Sequence, residues 1–198
     1  FYGGWYDYRS ALTEITKGLE QITELQNLAD TISERLCKTL RLEDTCVFFR
    51  DLNGEFSVIG FAPKTDIGNH PPRTFSSLPK SSLTYLLKVG AVEKSSLRKA
   101  LSMVALTPEE RQLLESEQVH LWVPVIGHGQ VLGLLALGPK FGGDVFGGED
   151  MDILRLVARQ VAPLVENIHL VTRLKRYASE LEQRVEERTA ELHSAKER

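Results

Sequence analysis

The sequence predicts an α+β domain in which antiparallel hairpins build a sheet, helices cover it, and long helices flank it at both ends. Three observations carry this. Apolar residues recur at Leu12, Ile15, Leu19, Ile22, Leu25, Leu28, Ile32, Leu36 and Leu40, an average step of about 3.5 that marks a helical, coiled-coil-like stripe. Two pairs of apolar runs rich in β-branched and aromatic residues each flank a glycine-bearing turn, the pattern of a hairpin. After Gly148 the helical period returns and runs to the end of the chain.

Taken in order, the first stripe predicts one helix from Arg9 to Leu40, with no proline and one glycine in it. Thr45–Arg50 and Glu55–Phe61 flank Asp51-Leu-Asn-Gly54 and read as the first hairpin, with an Asn-Gly turn. Ala62–Pro79 holds four of the eight prolines and reads as a long loop, which in a compact domain is a functional element or a disordered one. Ser81–Lys88 is a short helix. Val89–Leu106 reads as a strand and a turn. Thr107-Pro-Glu-Glu110 opens a helix, with a capping Thr, Pro at the first position and early acids.

The second hairpin pairs Val119–Ile126 with Gln130–Leu137 across Gly127-His-Gly129. Both faces of these strands are apolar, which places them centrally in the sheet. Pro124 donates no backbone hydrogen bond, so a bulge or an unpaired edge is expected beside it. The last helix is expected from Glu149, with apolar residues at Leu154, Val157, Val161, Leu164, Ile168, Val171, Leu174, Ala178, Leu181, Val185 and Leu192. Its steps alternate three and four except for two consecutive threes between Ile168 and Leu174, a stammer that overwinds a coiled coil. Pro163 inside it removes one backbone donor and predicts a kink.

Composition narrows the function. The 198 residues hold one domain of roughly 130–150 residues plus extended segments. A net charge of -3 disfavours nucleic acid and acidic lipid. Cys37 and Cys46 lie in apolar surroundings without metal-ligand spacing and read as reduced core residues. The longest apolar run, Val131–Leu137, is far below the ~20 residues that cross a bilayer. Phe1, Tyr2, Trp5, Tyr6 and Tyr8 hold five of the fifteen aromatics. They fit either the exit of a membrane helix lying upstream or a segment folded back on the domain. No GxSxG elbow, phosphate loop or HExxH is present, so the chain itself is expected to be non-catalytic. The glycines at 142, 143, 147 and 148 precede Glu149-Asp-Met-Asp152, whose charges would repel phosphate.

The order of elements resembles a GAF domain. The most specific stretch runs from Val123-Pro124-Val125 through Gly133–Leu137 to Phe146-Gly-Gly-Glu149-Asp150, followed by Leu156, Ala158, Gln160, Ala162 and Glu166-Asn167 on the closing helix. The resemblance covers about Gln21–His169. It implies a central antiparallel sheet of five or six strands with helices on both sides, and a small-molecule site beneath the long loop and short helix. Phe61, His70, Arg73, Tyr85 and Trp122 are the site residues this implies.

Subclasses of the family differ in residues that can be sought here. Covalent bilin attachment wants a cysteine beside a histidine after the long loop, and Cys37 and Cys46 lie too early. Cyclic-nucleotide-binding members carry an Asn-Lys pair where this chain has Pro139-Lys140. A haem would need His70, His120 or His128 as axial ligand, none in a convincing setting. The cofactor, if one is used, stays unknown.

Beyond the domain, Leu181-Glu-Gln-Arg-Val-Glu-Glu-Arg-Thr-Ala-Glu-Leu192 resembles the signalling helix that precedes a PAS domain or the phosphoacceptor helices of sensor histidine kinases. Glu191 and Lys196 fall at flanking heptad positions suited to an interchain pair, and Arg188 falls on the seam. His193 lacks the acidic neighbour expected after a phosphoacceptor, having Ser194 instead. The expected organisation is residues 1–20 as a juxtamembrane-like segment and helix start, 21–170 as the sensory domain and 171–198 as a coiled-coil signalling helix. The expected partners are a second copy, met through the N- and C-terminal helices, and a small-molecule ligand. The expected setting is a cytoplasmic domain of a two-component parent anchored in the inner membrane.

Overall fold

The structure is a computed structural model that describes residues 3–62, 74–75, 80–100 and 119–196, together with 102, 108 and 111. The helices are α1 (Gly3–Thr16), α2 (Leu25–Thr39), α3 (Lys80–Val89), α4 (Lys94–Ala100) and α5 (Gly148–Lys196). The strands are β1 (Thr45–Arg50), β2 (Phe56–Ala62), β3 (Thr74–Phe75), β4 (Val92–Glu93), β5 (Leu121–Gly127) and β6 (Gln130–Leu137). All six form one antiparallel sheet in the order β3-β2-β1-β6-β5-β4.

The two hairpins supply the four inner strands, as their two-sided apolar pattern requires. Along β1, Val47 and Phe49 face one core while Cys46 and Phe48 face another. Along β5 and β6 the same alternation sends Leu121, Val123, Val125, Leu135 and Leu137 to the first core and Trp122, Leu134 and Ala136 to the second. The first core is closed by α1, α2 and the front half of α5, and the second lies on the α3 and α4 side.

Turn chemistry fixes the registers. In the first turn the Asp51 carboxylate accepts from the Asn53 and Glu55 backbone N–H groups, both at 2.8 Å, and Gly54 takes φ 92°. In the second, His128 and Gly129 take φ 45° and 73°, the double left-handed bend that matches strand twist in a two-residue loop. Pro124 pairs with Leu134, but β4 reaches only Leu121 and Trp122 and a bulge follows at Val125/Ile126. Pro124 therefore sits where β5 has lost its outer neighbour among the described residues, and no ladder bond is forfeited.

Three expectations are corrected. The single helix from Arg9 to Leu40 is broken: α1 ends at Thr16, Gly18 turns left-handed at φ 69°, and a short 3₁₀ turn at Leu19–Gln21 leads to α2. The stripe survives the break because Ile15, Leu19, Leu28, Ile32 and Leu36 all pack into the same core. Val89–Leu106 holds a helix, α4, after a two-residue strand, and α4 shows no stripe because only Leu97 on it is buried. The long loop contains β3, which pairs Phe75 with Phe56. The helix expected from Thr107 lies largely outside the described residues.

The last helix is continuous over 49 residues, about 74 Å at 1.5 Å per residue. It passes through Pro163, where the carbonyl of Arg159 loses its usual donor. Both residues are exposed, so the freed carbonyl has solvent beside it. Close packing against the sheet also shows at Gly60, where a Cβ would strike the backbone of Ala29: α2 lies directly on β2. No described helix is long and apolar enough to cross a membrane.

Candidate functional site

The second sheet face is built around Trp122. Its side chain is fully buried, and its ring lies 6.2 Å from Phe48, tilted by 33°. Leu86 of α3 and Leu97 of α4 are buried in the same cluster, and Phe61 and Tyr85 pack on it half-buried. Of the five expected site residues, the structure thus brings Phe61, Tyr85 and Trp122 together. His70 and Arg73 lie outside the described residues.

Among the described residues this face is largely apolar, and two of its polar groups bear on its chemistry. The Cys46 thiol is pushed up to about 12 by burial and by the charge of Asp44, so it stays protonated at neutral pH. The Trp122 Nε1–H is buried with no hydrogen-bond partner among the described residues. A buried donor left unmatched costs roughly 1–3 kcal/mol, so an acceptor placed there would be held firmly. Cys46, Phe48, Leu86 and Leu97 were not singled out as site residues from the sequence, although the alternation of β1 already put Cys46 and Phe48 on one face.

The start of α5 is fastened by polar groups. Asp150 Oδ2 accepts from the Gly147 backbone N–H and from Lys140 Nζ, both at 2.7 Å. Lys140 also lies 5.7 Å over the Phe146 ring. Asp150 at the helix start is thus accounted for by capping and pairing. Residues 24–164 match the sequence model of the GAF domain. The chain belongs to the GAF domain family.

Solved GAF domains share the fold. The GAF domain of a Coxiella burnetii phosphoenolpyruvate-protein phosphotransferase is 18% identical with a TM-score of 0.59, covering 85% of this chain and 98% of that one. The GAF domain of the Acinetobacter phosphoenolpyruvate-protein phosphotransferase is 14% identical at 0.57, covering 82% and 95%. A fragment of a methyl-accepting chemotaxis protein, residues 122 to 287, is 13% identical at 0.57, covering 79% and 98%. No curated protein matches the chain by sequence.

Within this GAF domain the other histidines are placed as follows. His120 is exposed and lines a groove of about 360 Å³ with Glu93, Lys94 and Phe146. His128, on the β5–β6 turn, meets Glu166 of α5 with Nδ1 to Oε1 at 2.6 Å. His169 lies one turn further along α5, with its Nε2 buried and unpartnered among the described residues. Among the described residues no group of three or more His, Cys, Asp or Glu side chains is arranged to hold a metal ion. The His128–Glu166 contact went unseen in the sequence, because nothing in a turn and a helix 38 residues apart signals that they meet.

Past Ile168 the helix leaves the GAF core. Leu174, Leu181 and Val185 stand 66%, 60% and 64% exposed, on the stripe that the heptad spacing marked. Val171 joins them at 45% exposed.

Proposed function

We propose that this chain is the non-catalytic sensory module of a longer signal-transduction protein. It would take a small molecule on the Trp122 face and relay its state through a parallel pair of α5 helices to a C-terminal output domain. The observation that carries the reading is the division of α5: its first half is built into the domain core, and its second half presents a bare apolar stripe at heptad spacing. A stripe of that period is covered most economically by an identical helix in register. Val171, Ala178 and Val185 would form one layer series and Leu174, Leu181 and Arg188 the other. Any movement of the domain face against α5 would then reach the output as a change in how the two helices meet.

A sensor histidine kinase fits as the parent, on the likeness of residues 181–192 to the helix preceding phosphoacceptor domains. An input domain for a cyclic-di-nucleotide enzyme fits the same helix. The domain would sit in the cytoplasm, with any membrane anchor upstream of Phe1. Sedimentation equilibrium on the intact chain tests the reading. A dimer at tens of micromolar is expected, and a monomer at that concentration would sink it.

A second reading, a dimerising spacer without ligand, is favoured by the filling of the described part of the second core with Phe48, Trp122, Leu86 and Leu97. Against it stands the unmatched Trp122 N–H, which a purely structural core would gain by replacing.

A further inference from the structure

The point at which α5 leaves the domain lies beside the two hairpin turns, and the second of them reaches it with a side chain. Arg50, at the end of β1, donates from Nε to the Gly54 carbonyl at 3.1 Å and from Nη1 to Gln130 Oε1 at 3.2 Å, so one guanidinium ties the two turns together. The second turn reaches across to α5 through His128 and Glu166. Gly127 makes that approach feasible, since a Cβ there would run into the Glu166 carboxylate and Leu132. His169 lies near the end of β1, close enough for the Arg50 backbone to bear on its ring. Immediately beyond it, Leu170 and every residue through Ser179 are exposed.

We propose that His128, Glu166 and His169 form a latch that clamps the exit of α5 to the two hairpin turns, and that opening it frees the helix to change its angle or rotation at Leu170. This rests on the relay reading only for its signalling consequence; the clamp itself is a contact within one domain. The turn is held in a left-handed conformation at His128, φ 45°, that glycine would adopt more readily. The histidine is therefore kept at a local conformational cost that its contact with Glu166 offsets.

Acid acts on the His169 arm of the latch. The charged groups around His169 are Arg50 and Asp51 at the end of β1 and Arg173 on α5, with the His128–Glu166 pair one turn before it. Burial holds the His169 imidazole below the ordinary histidine range, and Arg173 and Arg50 add to this against the opposing pull of the Arg50 backbone and Asp51. A lowered value means that the released helix binds the proton first. Docking is then at full strength above about pH 6.5 and weakens as pH falls below it.

Hydrogen exchange on the intact chain tests the proposal. At neutral pH, His128→Gly and Glu166→Ala are each expected to speed exchange of the amides between 165 and 172 about tenfold, while β1 and β6 amides keep their rates. The double variant is expected to add little, because both changes break one contact. Acidification below pH 6 is expected to lower protection of the same amides in the native protein, after correction for intrinsic rates, but not in His169→Asn. Unchanged exchange in the 165–172 segment, or a rise that the strands share, overturns the latch. Sedimentation of the same samples separates the two ideas: a monomer with a working latch removes the relay alone, and a dimer with no latch effect removes the latch alone.

Discussion

Removing the Asp150 carboxylate should weaken the GAF domain through two contacts that can be separated. Lys140 and Asp150 pair at 2.7 Å with side chains only 17% exposed each, so the pair lies between the exposed and buried limits. Exposed pairs are worth about 0–1 kcal/mol, and deleting one partner of a buried pair costs about 3–5 kcal/mol. An intermediate loss of about 2 kcal/mol follows for stranding Lys140. Asp150→Ala also strips the Gly147 N–H of its acceptor, adding about 1 kcal/mol as a lost helix cap. The sum, about 3 kcal/mol, corresponds to a fall in Tm of roughly 6–12 °C for a chain of this size. Asp150→Asn keeps an oxygen for the Gly147 N–H and should lose only the first part. Lys140→Met keeps an apolar stem over Phe146 while removing the charge. In urea titrations, a double-mutant cycle of Lys140→Met and Asp150→Asn should give a coupling of about 1–2 kcal/mol. Additivity within about 0.3 kcal/mol would show that the pair contributes nothing and that the helix start is held by other contacts.

Other outcomes follow from single sites. Leu181→Glu should leave the domain folded, since Leu181 touches none of its core, yet dissociate the proposed dimer: losing about 1–2 kcal/mol of burial per helix and facing two carboxylates predicts at least a hundredfold weaker association by sedimentation. Unchanged association would place the dimer seam elsewhere. Gly60→Ala should cost about 1–3 kcal/mol in thermal or urea unfolding, because the added methyl meets the backbone of α2 rather than a movable side chain. A neutral result would mean that α2 does not rest on β2. Cys46 should resist iodoacetamide at pH 8 until the domain unfolds, since burial holds its thiol protonated, whereas the half-exposed Cys37 should react slowly in the native state. Equal labelling of both would contradict the burial of β1.

Much of the domain was legible because periodicity reports burial. The apolar alternation of Cys46–Phe49 and Leu121–Val125 marks strands with a core on each side, and the spacing from Leu154 to Val185 marks one helix. The same signal is silent about continuity. The step from Ile15 to Leu19 to Ile22 reads as unbroken helix, yet a left-handed glycine and a 3₁₀ turn intervene, because two segments packed on one core keep the same apolar rhythm. It is silent too about α4, whose one buried residue, Leu97, makes no pattern.

The sequence by itself determined the family likeness, the paired hairpins, the two-sided sheet and the apolar stripe on the exit helix, since each is written in local spacing and turn chemistry. Only the tertiary structure decided that Phe61, Tyr85 and Trp122 share one face, that the Trp122 N–H is unmatched there, and that the His128 turn grips α5 at Glu166. Those facts depend on which distant segments touch, and contact between residues far apart in the chain is set by packing of the whole sheet and its helices rather than by any local pattern.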